Sequence, residues 1–306
     1  MCGGRLISFE ERIAELVSAE VVSMQSLSGG DFATAYRIEL DDGRAVFVKT
    51  HRNPPDGFFS TEAAGLSWLS EANVCNVASV LGVADDAPAC LVLEWVDVGG
   101  RSTHQGEAEF GRDLARLHQS GSPCYGREDR RTTGSQALPN APCDTWAEFY
   151  SECRLQPLAR IASNRGALTQ TTIKKLLDIA GRLDEFGAAD EPAARLHGDL
   201  WAGNRVIDTQ GQNWLIDPAA HGGHREFDLA MMQLFGGFAE ACFTAYDETY
   251  PLADGWQDRV PLHQLAPLVV HAIKFGGGYA RGVEAALDAS SRAARRSASV
   301  TKRNLL

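Results

Sequence analysis

The stretch His197-Gly198-Asp199-Leu200-Trp201-Ala202-Gly203-Asn204, with Ile216-Asp217-Pro218 downstream, decides how the rest of the chain reads. Asp199 and Asn204 are five residues apart, and Asp217 follows thirteen residues after Asn204. Transfer of a phosphoryl group to a hydroxyl needs an acceptor for the hydroxyl proton and oxygen ligands for magnesium. An Asp and an Asn at this spacing let one loop present a base and a metal ligand on one edge. A hairpin turning at Thr209-Gln210-Gly211 then returns a second carboxylate to the same place. Asp199 is therefore the candidate catalytic base, and Asn204 and Asp217 are the candidate magnesium ligands. A lone Asp or Asn in a turn would carry no such weight, since both are common turn residues. Three in this order and spacing do. His197 reads as a structural hydrogen-bonding residue.

Working toward the N-terminus, the chain should supply the phosphate contacts of a nucleotide. Ser8 is a plausible N-cap for an amphipathic helix over residues 8–19, and strand-like runs VVSMQSL, TAYRIEL and RAVFVKT follow. Asp41-Asp42-Gly43 is turn chemistry between the last two, which predicts a hairpin. Gly29, Gly30 and Asp31 lie between two of these strands, where small residues let backbone N–H groups approach phosphates; a plain hairpin turn reads equally well there. Lys49 ends the run V-F-V-K, with apolar Val46 and Val48 at alternate positions, and Glu62 follows on a helix whose start is expected at Ser60-Thr61-Glu62. A lysine held under a phosphate needs a carboxylate to fix it, and Lys–Glu pairing does that in protein kinases. The run LVLEWV at 91–96 leaves the strands, so the backbone at Glu94 and Val96 is the natural place for adenine hydrogen bonding.

Beyond residue 105 the helical period takes over in EAEFGRDLARLHQS, DTWAEFYSECRLQPLARIA and TTIKKLLDIAGRLDEF, and further helices are expected over 226–249 and 262–280. The glycine runs FGGF (235–238) and FGGGY (275–279) fall inside these patterns and read as close-packing points. His221, His224 and Asp228 do not read as a transition-metal site, since no Cys stands with them and the intervening glycines read as loop. The fold class predicted is α+β: a small, mostly antiparallel N-terminal lobe with one main helix (1–97), a larger helical lobe (98–280), and a frayed or disordered tail (281–306).

Composition closes off other classes. Formal net charge is −11, which opposes sequence-independent binding to nucleic acid. No apolar stretch approaches about 18 residues, so no membrane helix is expected. The seven cysteines are odd in number and form no C-x-x-C pair, and the first residues lack the basic-then-apolar pattern of a signal peptide. A cytoplasmic monomer or weak homodimer is the expectation.

With these residues in hand, the chain resembles the fructosamine kinase (ketosamine-3-kinase) family, within the aminoglycoside-phosphotransferase and choline-kinase-like superfamily. The resemblance runs through LSGGDFATAYRIEL, VFVKT, EAAGL, LVLEWV, LARLH, LHGDLWAGN, IDPAAHGGHREFDLAM, LFGGF and HAIKFGGGY, in family order from about residue 24 to 280. H-G-D-x-x-x-x-N is shared across the superfamily; HGDLWAGN with GHRE and FGGGY is narrower. The resemblance implies a protein-kinase-like bilobal fold, ATP and Mg2+ as cofactors, and phosphorylation of the 3-hydroxyl of small or protein-bound ketoamines, whose breakdown then reverses glycation. It also implies that Trp201 contacts the sugar, that His221, His224, Arg225 and Glu226 line the same mouth, and that Asp228 braces the catalytic loop. Ala220-His221 stands where the family has bulkier aromatic residues, and the chain matches nothing after Tyr279. Two rivals remain: another small-molecule kinase acting on an aminoglycoside, choline or homoserine, and a catalytically inactive kinase-fold binding module. The second is disfavoured by the presence of Lys49, Glu62, Asp199, Asn204 and Asp217.

Overall fold

Val46 and Val48 alternate with Phe47 and Lys49, and the strand they form buries only the two valines, as a period of two requires. The structure, a computed structural model, describes residues 7–27, 33–130, 132–133, 136–186 and 191–304. Gly29, Gly30 and Asp31 lie outside the described residues. The chain divides into two compact units, Met1–Gly106 with Asn204–Pro218, and Glu107–Gly203 with Ala219–Leu306.

In the first unit, β1 (Val21–Leu27), β2 (Thr34–Leu40), β3 (Ala45–Thr50), β5 (Val80–Ala84) and β6 (Cys90–Glu94) form an antiparallel sheet in the order β1-β2-β3-β6-β5. The helix Phe9–Val17 covers one face, its Ile13 and Val17 packing on Ile38, Leu40, Val46, Val48, Cys90 and Val92. Ser8 and Glu11 close a capping box at its start. The helix Phe58–Ser70 packs on β5 and β6. It does not begin at Ser60 as expected. Gly57 is its N-cap with φ 69°, and the Asp85 carboxylate, 26 residues from Phe59, accepts from the Phe59 and Ser60 N–H groups at 3.0 and 3.2 Å. A distant carboxylate does the capping.

The hairpin Arg205–Ile207 with Asn213–Leu215 belongs to this unit, although the sequence placed all of 98–280 in the helical lobe. The reason is a strand: β4 (Asn76–Val77) pairs in parallel with Trp214 and Leu215. Asp208 pins the hairpin turn, accepting from Gln210 N, Gln212 N and Trp214 Nε1, each at 2.9 Å.

The second unit is helical around one core that includes Phe149, Tyr150, Leu155, Leu158, Leu176, Leu196, Leu262, Val269 and Leu287. The helix expected in DTWAEFYSECRLQPLARIA (144–162) runs over 146–164 and passes through a π-turn at Ser151–Leu155, just before Pro157, which has no N–H to give to the ladder. The glycine runs interrupt helices rather than sitting inside them. Gly236 (φ 71°) and Gly276 (φ 64°) end the helices Glu226–Phe235 and Leu265–Phe275 in conformations closed to other residues. The tail also differs from expectation: Gly278–Asn304 is one helix, with Val283, Ala286, Leu287 and Ser290 buried. Among the described residues, no helix is long and apolar enough to cross a membrane.

Candidate active-site residues

In the first unit, period-two alternation turns Lys49 away from Val46 and Val48. Its Nζ donates to Glu62 Oε1 and to Asp217 Oδ1, both at 2.7 Å. Burial works against the ammonium, but the two carboxylates outweigh it and hold Lys49 above its ordinary value, so it stays charged. Burial of Glu62 pushes its carboxyl up, against the pull of Lys49. Asp217 sits at φ 56°, a left-handed conformation that an Asp tolerates better than most side chains. Asn204, at the other foot of the hairpin, donates from Nδ2 to the Asp217 carbonyl at 3.3 Å, and its own carbonyl accepts from Ile216 N at 3.1 Å. The hairpin thus fixes Asn204 and Asp217 to each other, and the sheet supplies the cation. Glu94 lies at the end of β6, where its carboxylate accepts from Ser79 N at 2.8 Å and its N–H is committed to Ser79 O; the Val96 carbonyl accepts from Val98 N.

In the second unit, the loop His197–Asp199 hangs from Asp228. The fully buried Asp228 carboxylate accepts from His197 N at 2.8 Å and Gly198 N at 2.9 Å, and His118 Nε2 approaches it at 3.3 Å. Burial alone would raise this carboxyl; the bonds from His118 and Gly198 outweigh it and hold it below the usual carboxylate range. His197 Nδ1 in turn accepts from Asp199 N at 3.2 Å, which is the structural role the sequence suggested. Gly198 has to be glycine: its φ is 80°, and a Cβ there would meet Ala219 O at 2.1 Å.

Four residues expected at the substrate mouth are instead buried in this unit. His221, His224, Arg225 and Glu226 are each 3% exposed or less. Arg225 forms a fork with Glu191 at 2.6 and 2.7 Å and caps the Tyr250 and Pro251 carbonyls. Arg259 grips both oxygens of Glu226, at 2.6 and 2.9 Å. Arg225 and Glu226 look solvent-facing in sequence, yet their charged partners lie more than 30 residues away and compensate their burial. Ligand atoms of His224, Glu226 and His263 come within 4.8 Å of one another. Arg259 already occupies the Glu226 carboxylate, so the trio is the lining of an ion pair rather than a metal centre.

A model of the fructosamine kinase family matches residues 9–292. The chain belongs to this family. A relative in Enterococcus faecium assigned as a ketoamine kinase is 34% identical over 261 residues, covering 85% of this chain and 92% of the relative. The protein-ribulosamine 3-kinase of Arabidopsis thaliana is 31% identical, over 90% of this chain and 85% of that one. A crystal structure from Thermobifida fusca, assigned as a fructosamine-3-kinase, superposes with a TM-score of 0.85 at 40% identity, covering 94% of this chain and 99% of its own. Solved structures sharing the fold include choline kinases, and the fold class is protein-kinase-like, as the resemblance implied.

The segment Phe235–Phe238 packs on the loop that carries Asp199: a Cβ on Gly237 would lie 2.3 Å from that of Ala202. Trp201, 42% exposed, meets Phe235 at a ring distance of 6.5 Å, and Phe235, His271, Phe275 and Tyr279 continue as an aromatic row. The sequence pointed to Trp201 and not to the four residues beside it. Phe235, Phe275 and Tyr279 did carry a signal, since they flank the two glycine runs.

Proposed function

We propose that this protein transfers the γ-phosphoryl group of ATP to the 3-hydroxyl of a ketoamine, an activity that reverses glycation. The observation that carries the reading is the loop His197–Asp199, suspended from Asp228 and followed five residues on by Asn204. The substrate hydroxyl oxygen bonds to the γ-phosphorus, its proton passes to the Asp199 carboxylate, and the bond to the β-phosphate oxygen breaks to release ADP. Lys49, kept charged and oriented by Glu62, holds the phosphates. Asp217 and Asn204 offer oxygen donors, a set that suits Mg2+, and the 52% exposure of the Asp217 side chain leaves it within reach of one. When bound, the ion neutralises phosphate charge. Trp201 packs on the sugar or its amine. The enzyme works in the cytoplasm on free or protein-bound ketoamines, as a monomer or weak homodimer.

Coupled ADP release with fructosyl-lysine, ribulosyl-lysine, choline and kanamycin tests this. Turnover is expected only with the ketoamines, with phosphate on the 3-hydroxyl by NMR. Turnover of choline or kanamycin alone would overturn the substrate and leave the kinase chemistry standing.

A further inference from the structure

The Asp228 carboxylate is the end of a longer chain of hydrogen bonds, all within the second unit. Tyr246 Oη lies 2.7 Å from His118 Nδ1, and His118 Nε2 lies 3.3 Å from Asp228 Oδ2. The charge of the Arg225 guanidinium also bears on the Tyr246 phenol, against its burial. The Arg225 donors themselves go to Glu191 and to the Tyr250 and Pro251 carbonyls. Tyr246 is fully buried, and His118, Arg225 and Asp228 are 2% exposed or less.

The Asp228 end sets the direction of the protons, because a carboxylate only accepts. A singly protonated His118 therefore carries its proton on Nε2 and donates it to Asp228, and its Nδ1 accepts from the Tyr246 hydroxyl. Burial pushes the Tyr246 phenol up, so the hydroxyl keeps the proton this chain needs. We propose that Tyr246 is a positioning residue for phosphoryl transfer: it sets the His118 tautomer, and through His118 it orients the Asp228 carboxylate that holds the loop bearing Asp199. The proposal rests on the reading of Asp199 as the base.

Removing the Tyr246 hydroxyl leaves His118 Nδ1 without its donor. The imidazole is then free to carry its proton on Nδ1 and turn a lone pair toward Asp228, which loosens the hold on the loop without touching a nucleotide or sugar. The test uses the full chain, wild type and Tyr246→Phe, with Tyr150→Phe as control. The Tyr150 hydroxyl is also buried, but it bonds the Leu262 and His263 carbonyls off this path. Rates are measured with fructosyl-lysine and ATP, and 15N-histidine NMR reads the His118 tautomer, assigned with His118→Asn. Tyr246→Phe should lower kcat by about tenfold to a hundredfold, the scale of a small misplacement, with both KM values within about twofold. His118 should carry its proton on Nε2 in wild type and lose that preference in the variant, while Tyr150→Phe keeps kcat. Protonation at Nδ1 in wild type would overturn the proposal without any variant having to fold. So would an unchanged kcat in Tyr246→Phe, or an equal loss in Tyr150→Phe. Asp199→Asn, run alongside, judges the base separately: if it retains turnover, that reading falls while the tautomer still decides the relay.

Discussion

Lys49 and Asp217 stand 168 residues apart on the chain and 2.7 Å apart in the fold. Glu62 holds the same ammonium from the other side, and the Lys49 and Glu62 side chains are only 16% and 10% exposed. Lys49→Met should abolish turnover and, by stranding a buried carboxylate, cost about 3 kcal/mol of stability. The double variant with Glu62→Gln should recover most of that stability in urea unfolding and none of the turnover. Recovery of activity would remove Lys49 from the phosphate site.

Asp199→Asn should lower kcat by about a hundredfold to ten-thousandfold, the contribution of a general base, with the Kd for ATP nearly unchanged. Single-turnover rates and nucleotide titration separate the two effects. A variant retaining more than about a tenth of wild-type kcat would mean that another group takes the proton.

Trp201→Ala should raise KM for a ketoamine by up to about thirtyfold, the upper range of a cation–π contact, and leave KM for ATP alone. Loss of ATP affinity instead would put Trp201 on the nucleotide side.

Acid should destabilise the fold well above the carboxylate range. Burial, with Arg154 adding to it, lowers His221 to about 3; burial, with His263 adding to it, lowers His224 to about 4. Unfolded, each takes a proton near 6.5. Below that pH the unfolded chain binds protons that the folded chain does not. Stability is therefore complete above pH 6.5 and falls toward pH 4, by about 1.4 kcal/mol per pH unit for each ring. Glu226 adds a later loss: burial opposes its ionisation, but His263 and Arg259 lower it from 4.5 to about 2, and that stabilisation disappears as pH falls between those values. Urea unfolding from pH 7.5 to 4.5 should show the first slope, and His221→Asn should roughly halve it. An unaltered slope would show that His221 is not held neutral.

Truncation after Gly282 should destabilise the protein by several kcal/mol. It removes Val283 and Leu287, both buried, each worth about 1.5–3 kcal/mol, and the bond from Thr172 to Glu284 at 2.9 Å. A melting temperature equal to wild type would show that this helix does not support the core.

What was legible in the sequence was local. The strands around Val46 and Val48, the capping box at Ser8 and Glu11, and the spacing of Asp199, Asn204 and Asp217 depend on neighbours a few residues apart. The cap from Asp85, the forks Arg225–Glu191 and Arg259–Glu226, and the pairing of Trp214 with Asn76 depend on residues brought together by tertiary folding. No local pattern announces them, so GHRE read as surface when it is core. The last helix is a different case. Val283, Ala286, Leu287 and Ser290 do keep helical spacing, but Ala, Ser and Arg dilute the stripe until it resembles a fraying end.

The hairpin 204–218 also imposes an order of assembly on a chain emerging from the ribosome. The sheet of residues 21–94 is synthesised early, yet the parallel partner of Asn76 and the second carboxylate for Lys49 arrive only with residues 213–217. At about 5–20 residues per second, the 112 residues between Gly106 and Pro218 take roughly 6–22 s to appear. For that interval the early strands wait with Lys49 anchored on one side alone, and the first unit closes only after much of the second has been made.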